Sequence, residues 1–317
     1  MIDLSKDKLP NITNGNTPKN YELCQEGDIA FADASEDTNE VAKAVEFYKL
    51  NGKDVICGLH TIHGRDNQQK TVIGYKGYAF SSTAFHHQIR RIAQGTKIYS
   101  INSKNFSECY IGIPSKEEQK KIAALLQLID ERIATQNKII NRLQSLIKGI
   151  ANKSFHVARE TKPLLEFAPN ITSGNDKNGS GTIPLYGSTG IIGMVKNASQ
   201  KGNIVLVARV GTIGTVQFVN EPCGVSDNAL IIKAGDMTKY IYYFLKTYNF
   251  ARITSGTTQP LITASSLKKI AVPIFDIERS SNIVRCLSGL EKKLNIEKRY
   301  LLDMVMIKQY LLRQMFI

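Results

Sequence analysis

The residues of this chain that could do chemistry are polar and basic, and they gather in loops. Arg65, Asp66, Asn67, Gln68, Gln69 and Lys70 form one run of donors and acceptors, and Arg209, Thr212, Ser226, Asn228 and Gln259 supply a similar mix in the second half. These residue types contact base edges and phosphates in nucleic-acid grooves. Lys19, His60, His63, His86, His87 and Arg90 are further candidates in the first half. Asn175, Lys177, Tyr186, Ser188, Thr189 and Thr257 are the corresponding candidates in the second. His60 and His63 have HxxH spacing and His86 and His87 are adjacent, but a metal site needs more ligands in a fixed geometry. The four histidines are read as lacking acidic or cysteine company, hence as polar contacts, and no metal is expected.

Motifs for covalent or phosphoryl chemistry are missing. The sequence has no GxxxxGK(S/T) phosphate loop, no NPPY or DPPY, no GxGxxG opening a helix and no GxSxG elbow. The glycines of 187–193 and 211–214 fall between predicted strands, which argues against a dinucleotide cradle. Asp and Glu are placed mostly on solvent-facing helix positions, so paired catalytic carboxylates are not expected. The chain is read as non-catalytic and without a cofactor of its own.

Two long helices must position the candidate loops. Residues 115–155 begin with Ser115 as N-cap and Glu118 three residues on. Apolar residues follow at Ile122, Leu126, Ile129, Ile133, Ile140, Leu143, Ile147 and Ile150, with Gln136 in the gap. Steps of three and four make an a/d seam, and about 40 residues at ~1.5 Å make a rod of roughly 60 Å. Shifted by 161 residues, the seam returns as Ile283, Leu287, Leu290, Leu294, Leu301, Met304 and Leu311, with Glu297 in the gap and Asp276 as N-cap. Phe316 matches Phe155, IAQGT at 92–96 matches ITSGT at 253–257, and PNITNGN at 10–16 matches PNITSGN at 169–175. The chain is therefore read as a tandem duplication: a globular domain at 1–113, a helix at 114–158, a second domain at 159–274 and a helix at 275–317. The fold class is α/β, two globular domains separated by two long antiparallel coiled-coil helices about a pseudo-two-fold axis. In that arrangement Gln136 and Glu297 meet at the middle of the seam and set its register.

In the first domain, 28–31 and 54–59 read as strands, 41–50 as a helical turn or two, 71–80 as strand-turn-strand and 85–93 as a helix. In the second, 204–207, 215–219 and 229–233 read as strands and 237–248 as a helix. The two globular middles barely resemble each other, as expected if each reads something different.

Composition narrows the partners. The formal charge of +13 over 317 residues points to a polyanion. Five scattered cysteines without a CxxC pair fit a reducing cytosol. No apolar run reaches the ~20 residues of a membrane span, and no signal peptide is read at the start, so a cytoplasmic location is expected.

Two variable domains, each leading into a long helix, resemble the specificity subunit of Type I restriction–modification enzymes. The resemblance rests on GTKIYSINSKNF with IPSKEEQKKIAALL, and on SGTTQPLITASSL with VPIFDIERSSNIV, and covers essentially the whole chain. GLHTIHGR and ARVGTIG also resemble loops of the family's recognition domains. The resemblance implies that each globular domain reads half of a split sequence in double-stranded DNA. It also implies that the helices pack antiparallel and dock two modification (methyltransferase) subunits. S-adenosylmethionine would belong to those partners, and ATP and Mg to the restriction subunits of the full complex. Lys308 departs from the pattern by occupying a seam position. Two other readings compete: a recognition subunit serving a fused endonuclease–methyltransferase, and a coiled-coil scaffold without DNA affinity.

Overall fold

The computed structural model describes residues 1–12, 21–256 and 260–316. The chain divides into two compact units, 1–138 with 298–317, and 139–297. Each long helix thus gives one half to each unit.

In the first unit, β1 (Ile2–Asp3), β2 (Ile29–Ala32), β4 (Ala44–Lys49) and β5 (Thr61–Gly64) form a sheet in the order β1-β4-β2-β5, and β3 (Ala34–Ser35) pairs with β6 (Tyr99–Ser100). β1 runs parallel to β4, and the other pairs are antiparallel. Helices α1 (Lys76–Ala79), α2 (Thr83–Ile92) and α3 (Ser103–Phe106) follow, and then the long α4 (Lys116–His156) begins.

In the second unit, β7 (Glu160–Pro163) pairs with β15 (Ala271–Ile274). The main sheet is β8 (Thr172–Ser173), β11 (Ile204–Ala208), β12 (Val216–Val219) and β14 (Ala229–Ile232), ordered β12-β11-β14-β8. A second sheet holds β9 (Ile183–Tyr186), β10 (Ile191–Val195) and β13 (Gly224–Val225). Helices α5 (Thr238–Leu245) and α6 (Ala264–Lys268) precede the second long helix, α7 (Ile277–Gln314).

Both long helices start as their capping residues require. The Glu118 N–H donates to Ser115 Oγ at 3.3 Å, and the Arg279 N–H to Asp276 Oδ1 at 2.7 Å. The seam positions Ile122, Leu126, Ile129, Ile133, Ile140, Leu143 and Ile147 are all buried or half-buried, while their helical neighbours are mostly exposed. The same holds for Ile283, Leu287, Leu290, Leu294, Leu301 and Met304. In the first unit, Ile122 and Leu126 near the start of α4 pack with Leu311, Leu312 and Phe316 near the end of α7. In the second unit, Ile147, Ala151 and Phe155 near the end of α4 pack with Ile283 and Leu287 near the start of α7. The helices are antiparallel in both. Gln136 is 5% exposed, so the polar gap points into the seam rather than to solvent. Glu297 is also largely buried, with Lys293 2.6 Å away. Lys308 is accommodated in its seam position by Asp130 Oδ1 at 2.6 Å, which leaves its charge paired.

Several local expectations fail for a common reason. Residues 44–49 form a strand, not a helix, because β4 is clasped between β1 and β2 and tertiary pairing overrides propensity. Residues 71–80 hold no strand. Tyr75, Tyr78 and Ala79 instead make one helical turn that packs on Ile122 and Leu126. Residues 54–59 make only a bridge, Leu23 with Ile56. The acidic residues are not confined to solvent-facing helix positions: Asp28 is 3% exposed and Glu46 fully buried. Glu46 accepts from the Gly74 and Gly77 N–H groups at 2.9 and 2.7 Å, with Lys76 Nζ at 3.8 Å.

The two globular middles, unlike in sequence, share one backbone frame. β4-β2-β5 and β12-β11-β14 have the same order and direction. Ala32 N–H donates to Lys43 O as Ala208 N–H does to Thr215 O, at 3.1 and 2.9 Å. Asp33 N–H donates to His60 O as Arg209 N–H does to Asn228 O, at 3.3 and 3.0 Å. Ile101 N–H meets Asp33 O as Ile262 N–H meets Arg209 O, both at 3.0 Å. The paired bridges Gln94–Ser100 and Ser255–Leu261 complete the match. The repeated glycine of these bridges has a physical reason: at Gly95, φ is +142° and a Cβ would lie 1.9 Å from Ile98 O.

Candidate nucleic-acid interface

In the first domain, β5 delivers His63, Gly64 and then the loop from Arg65 to Lys70. The start of this loop is bolted down. Arg65 Nε donates to both oxygens of Asp28 at 3.0 and 3.2 Å, Nη2 donates to Asp28 Oδ2 at 2.6 Å and to Leu23 O at 2.8 Å, and Nη1 pairs with Glu22. The far end is tied as well. Thr71 N–H and Oγ1 donate to Asp66 Oδ2 at 2.8 and 2.6 Å, and Gln119 Nε2 donates to Lys70 O at 3.1 Å. Between these anchors Asn67, Gln68, Gln69 and Lys70 stand exposed, with Gln69 at φ +49° in the turn. The donors of Arg65 are thus spent inside the protein, and the exposed tip offers the polar side chains.

The histidines differ in their surroundings. His60 is exposed, 3.7 Å from Asp33. His63 is mostly buried, its Nε2 2.9 Å from Asp28 Oδ2. Burial pushes the Asp28 carboxyl up, but hydrogen bonds from Arg65, the Gln25 N–H and His63 outweigh it and hold Asp28 below the usual carboxylate range. On α2, His87 and Arg90 are exposed, with Arg90 Nη2 3.2 Å from His87 Nδ1 and Nη1 3.2 Å from Asn39 Oδ1. His86 is half-buried, and burial with Arg90 nearby depresses its pKa. Lys19, Thr257 and Gln259 lie outside the described residues.

The expectation that the histidines lack acidic or cysteine company is overturned at His63. Besides Asp28, it has Cys24 and Cys57 beside it, the donor atoms of all three residues lying within 4.8 Å of one another. Burial and the neighbouring Cys57 push the Cys24 thiol up to about 12. Cys24 and Cys57 are 33 positions apart, so sequence spacing gave no signal of this cluster.

In the second domain the structure draws three candidate loops together. Ser188 Oγ donates to Val210 O at 3.0 Å and Asn228 O at 3.4 Å, and Gln217 Nε2 donates to Gly187 O at 2.9 Å. Ser188, Arg209 and Asn228 therefore lie at one edge, with Thr189, Thr212 and Asn228 exposed around it. Arg209 is half-buried, and no acceptor among the described residues meets its Nε. Ser226 is buried and structural: its N–H donates to Tyr186 O at 2.9 Å. The Tyr186 hydroxyl is spent on Glu221 Oε1 at 2.7 Å, and burial first, then Glu221, pushes it up to about 12. Asn175 and Lys177 are exposed on the segment held by Gly174 N–H to Ala229 O at 3.1 Å and by Asp176 N–H to Val225 O at 2.9 Å. Gln217 and Asn39 were not singled out from sequence. Both act by holding candidate loops or side chains.

Duplicated frames with exposed polar loops, each accompanied within its unit by a pair of antiparallel long-helix halves, define a specificity-domain architecture. The family model described as Type I restriction modification DNA specificity domain matches residues 8–145 and again 160–303, and the chain belongs to that family. It is 23% identical over 331 aligned positions to the type I restriction enzyme MjaVIII specificity subunit of Methanocaldococcus jannaschii, covering 81% of this chain and 78% of that one. It is also 26% identical over 143 positions to a Haemophilus influenzae protein assigned as a type I restriction enzyme specificity subunit, a match spanning 41% of this chain and 37% of that protein. Among solved structures, the S subunit of a Type I restriction–modification system from M. genitalium superposes with a TM-score of 0.64 at 18% identity, covering 97% of this chain and 87% of that one. A chain from a structure concerned with complex assembly and conformational transition of the type I R-M system gives 0.61 at 15% identity, with 95% and 84% covered. No helix among the described residues is long and apolar enough to cross a membrane.

Proposed function

We propose that this chain is the DNA sequence-specificity subunit of a Type I restriction–modification system, each globular domain reading one half of a split target in double-stranded DNA. The observation that carries the two-half reading is the shared backbone frame bearing different side chains at its loop ends, Asp33 and His60 in one copy, Arg209 and Asn228 in the other. A common frame with divergent tips suits two readers of unlike sequences. The exposed side chains at 67–70, His87 and Arg90 face one half-site, and Thr189, Arg209, Thr212 and Asn228 the other. Arg65, His63, Tyr186 and Ser226 position the loops that carry them. The chain performs no transfer or cleavage itself. Two modification subunits bind the long helices, carry S-adenosylmethionine and flip the target base from the duplex. Restriction subunits using ATP and Mg complete the assembly in the cytoplasm.

Sequencing the methylated bases in cells that carry this chain with its modification partner tests the reading. A split methyladenine motif that disappears without this chain is expected. Methylation independent of the chain, or a single undivided motif, overturns it.

A further inference from the structure

We propose that the first globular domain holds one zinc-type metal ion through Cys24, Cys57 and His63, as a staple on the face of its sheet opposite α2. The backbone brings these residues together from three segments. The Leu23–Ile56 bridge and the Cys24 N–H to Val55 O bond at 2.8 Å place Cys24 opposite Val55 and Glu22 opposite Cys57. Alternation along the two segments then puts Glu22, Cys24 and Cys57 on one face. β5 brings His63 to the same place from beneath.

The distances fit a tetrahedral site. Two thiolates each ~2.3 Å from zinc at tetrahedral angles lie about 3.8 Å apart, and the Cys24 and Cys57 sulfurs are 3.7 Å apart. Two neutral thiols in contact would show a similar separation, so the sulfur pair alone does not choose between them. The imidazole does. His63 Nε2 faces Asp28 Oδ2 at 2.9 Å, and Asp28 is buried and fixed by Arg65 and by the Gln25 N–H at 2.8 Å. A metal-bound histidine is commonly held in this way, its second nitrogen donating to a carboxylate that fixes the tautomer. With the proton on Nε2, Nδ1 carries the lone pair for the ion. Glu22 Oε2, on an exposed side chain, lies 3.7 Å from Nδ1 and can supply a fourth ligand. Two soft thiolates with an imidazole select zinc over magnesium or calcium, and binding releases both thiol protons, so the pair of thiolates balances the ion's charge.

The second domain explains why a staple has a task here. In the shared frame Asp28 stands where Ile204 stands, and His63 where Ile231 stands. Ile204 and Ile231 belong to an apolar core with Leu206, Val219, Cys223 and Val225, closed by the second sheet. The first domain has no counterpart of that sheet among the described residues. The same face is covered by a small cluster, Leu4, Cys24, Phe47, Leu50 and Val55, with Ile2, Ala30 and Cys57 packed against it. A small core of this kind gains most from a cross-link or a metal.

The test is metal analysis of the full chain, purified under reducing conditions without chelator and then exposed to zinc or cobalt(II). About one ion per chain is expected, with thiolate-to-cobalt absorption and release by a mercurial reagent. Cys24→Ser with Cys57→Ser abolishes binding, whereas Cys109→Ser with Cys286→Ser keeps it. His63→Cys, which preserves a ligand, retains the ion and guards against a mere folding defect. A folded chain that takes up neither metal overturns the proposal, as does uptake unchanged by the Cys24/Cys57 double substitution. Oxidation of the pair to a disulfide with no metal uptake also overturns it.

Discussion

The two globular domains run the same ladder of backbone hydrogen bonds and fill it with opposite chemistry. β11 is buried along its whole length, and β14 likewise, since one face meets α5 and the other the second sheet. β2 alternates buried and half-buried, and its neighbourhood holds Asp28, Glu46 and His63 where the second domain has Ile204, Phe218 and Ile231. One copy is held by apolar area on both faces of its main sheet, whereas the other combines apolar clusters with a few buried directional contacts. Apolar burial tolerates small shifts, whereas a buried carboxylate is stabilised only while its donors stay in place. The first domain should therefore be the more brittle of the two, and its loop the more dependent on single residues. The left-handed residue after β2 repeats the contrast: Ala42 at φ +56° and Gly214 at φ +79° occupy the same hydrogen-bonded position.

The largest expected effect comes from exchanging a whole domain. Replacing residues 1–113 with the corresponding part of another family member should change one half of the methylated motif entirely and leave the other half untouched. Methylome sequencing reads this directly. A swap that altered both halves would end the picture of two independent readers on one frame.

Next comes Glu46, which has no polar counterpart in the second domain. Glu46→Ala leaves two buried N–H groups without their acceptor and Lys76 without its buried counter-charge, and removing one partner of a buried charged set costs about 3–5 kcal/mol. Calorimetry should show the first domain melting earlier, while the transition of the second stays in place. The pH dependence has a definite sign. Burial, partly offset by the Gly77 and Gly74 N–H groups and Lys76, raises the Glu46 pKa, so the folded state takes up the proton more readily than the unfolded chain. Wild type should gain stability relative to Glu46→Gln as pH falls from neutral towards the ordinary glutamate value of ~4.3. A difference that is flat over this window would show that Glu46 does not titrate there.

How much of this was legible in the sequence differs by element. The seam was legible because helix packing repeats every three or four residues and a side chain's burial follows from its spacing. Even Gln136 was marked by the gap it fills. The repeated GT was legible because left-handed φ demands glycine at Gly95 and Gly256. The shared frame of the middles was not, because it is built from backbone N–H and C=O groups that carry no side-chain signature. Residues 41–50 and 71–80 were misread because pairing with β1 and β2, and packing on α4, decide their conformation from a distance. The His63 cluster was hidden for the same reason: Cys24, Asp28, Cys57 and His63 meet only once the sheet has formed.

Equivalent loop ends give a smaller and more selective effect. Arg209 occupies the position that Asp33 occupies in the first domain. Arg209→Ala should cost about 1–3 kcal/mol in DNA binding and relax the second half-site alone, as expected for a base contact. Asp33→Ala should leave affinity unchanged or slightly raised, because an acid facing DNA repels phosphate. Binding assays with DNA mutated in one half-site at a time would separate these outcomes. Equal losses from both substitutions would mean that the loop ends do not touch the bases.

The smallest effect expected is at Lys70, and it separates contact from support within one loop. Lys70 is exposed, and its carbonyl is held by Gln119 rather than its side chain. Lys70→Ala should therefore keep the loop in shape and remove one phosphate contact. The slope of log affinity against log salt would then fall in magnitude by roughly 0.9, with sequence preference intact. Arg65→Ala acts otherwise, because its guanidinium binds Asp28 and Leu23 O rather than facing solvent. It should lower the thermal stability of the first domain and blur that half-site without shifting the salt slope by a full contact. If Arg65→Ala changed only the salt slope and left stability alone, the roles of the two residues would be the reverse of those drawn from their hydrogen bonds.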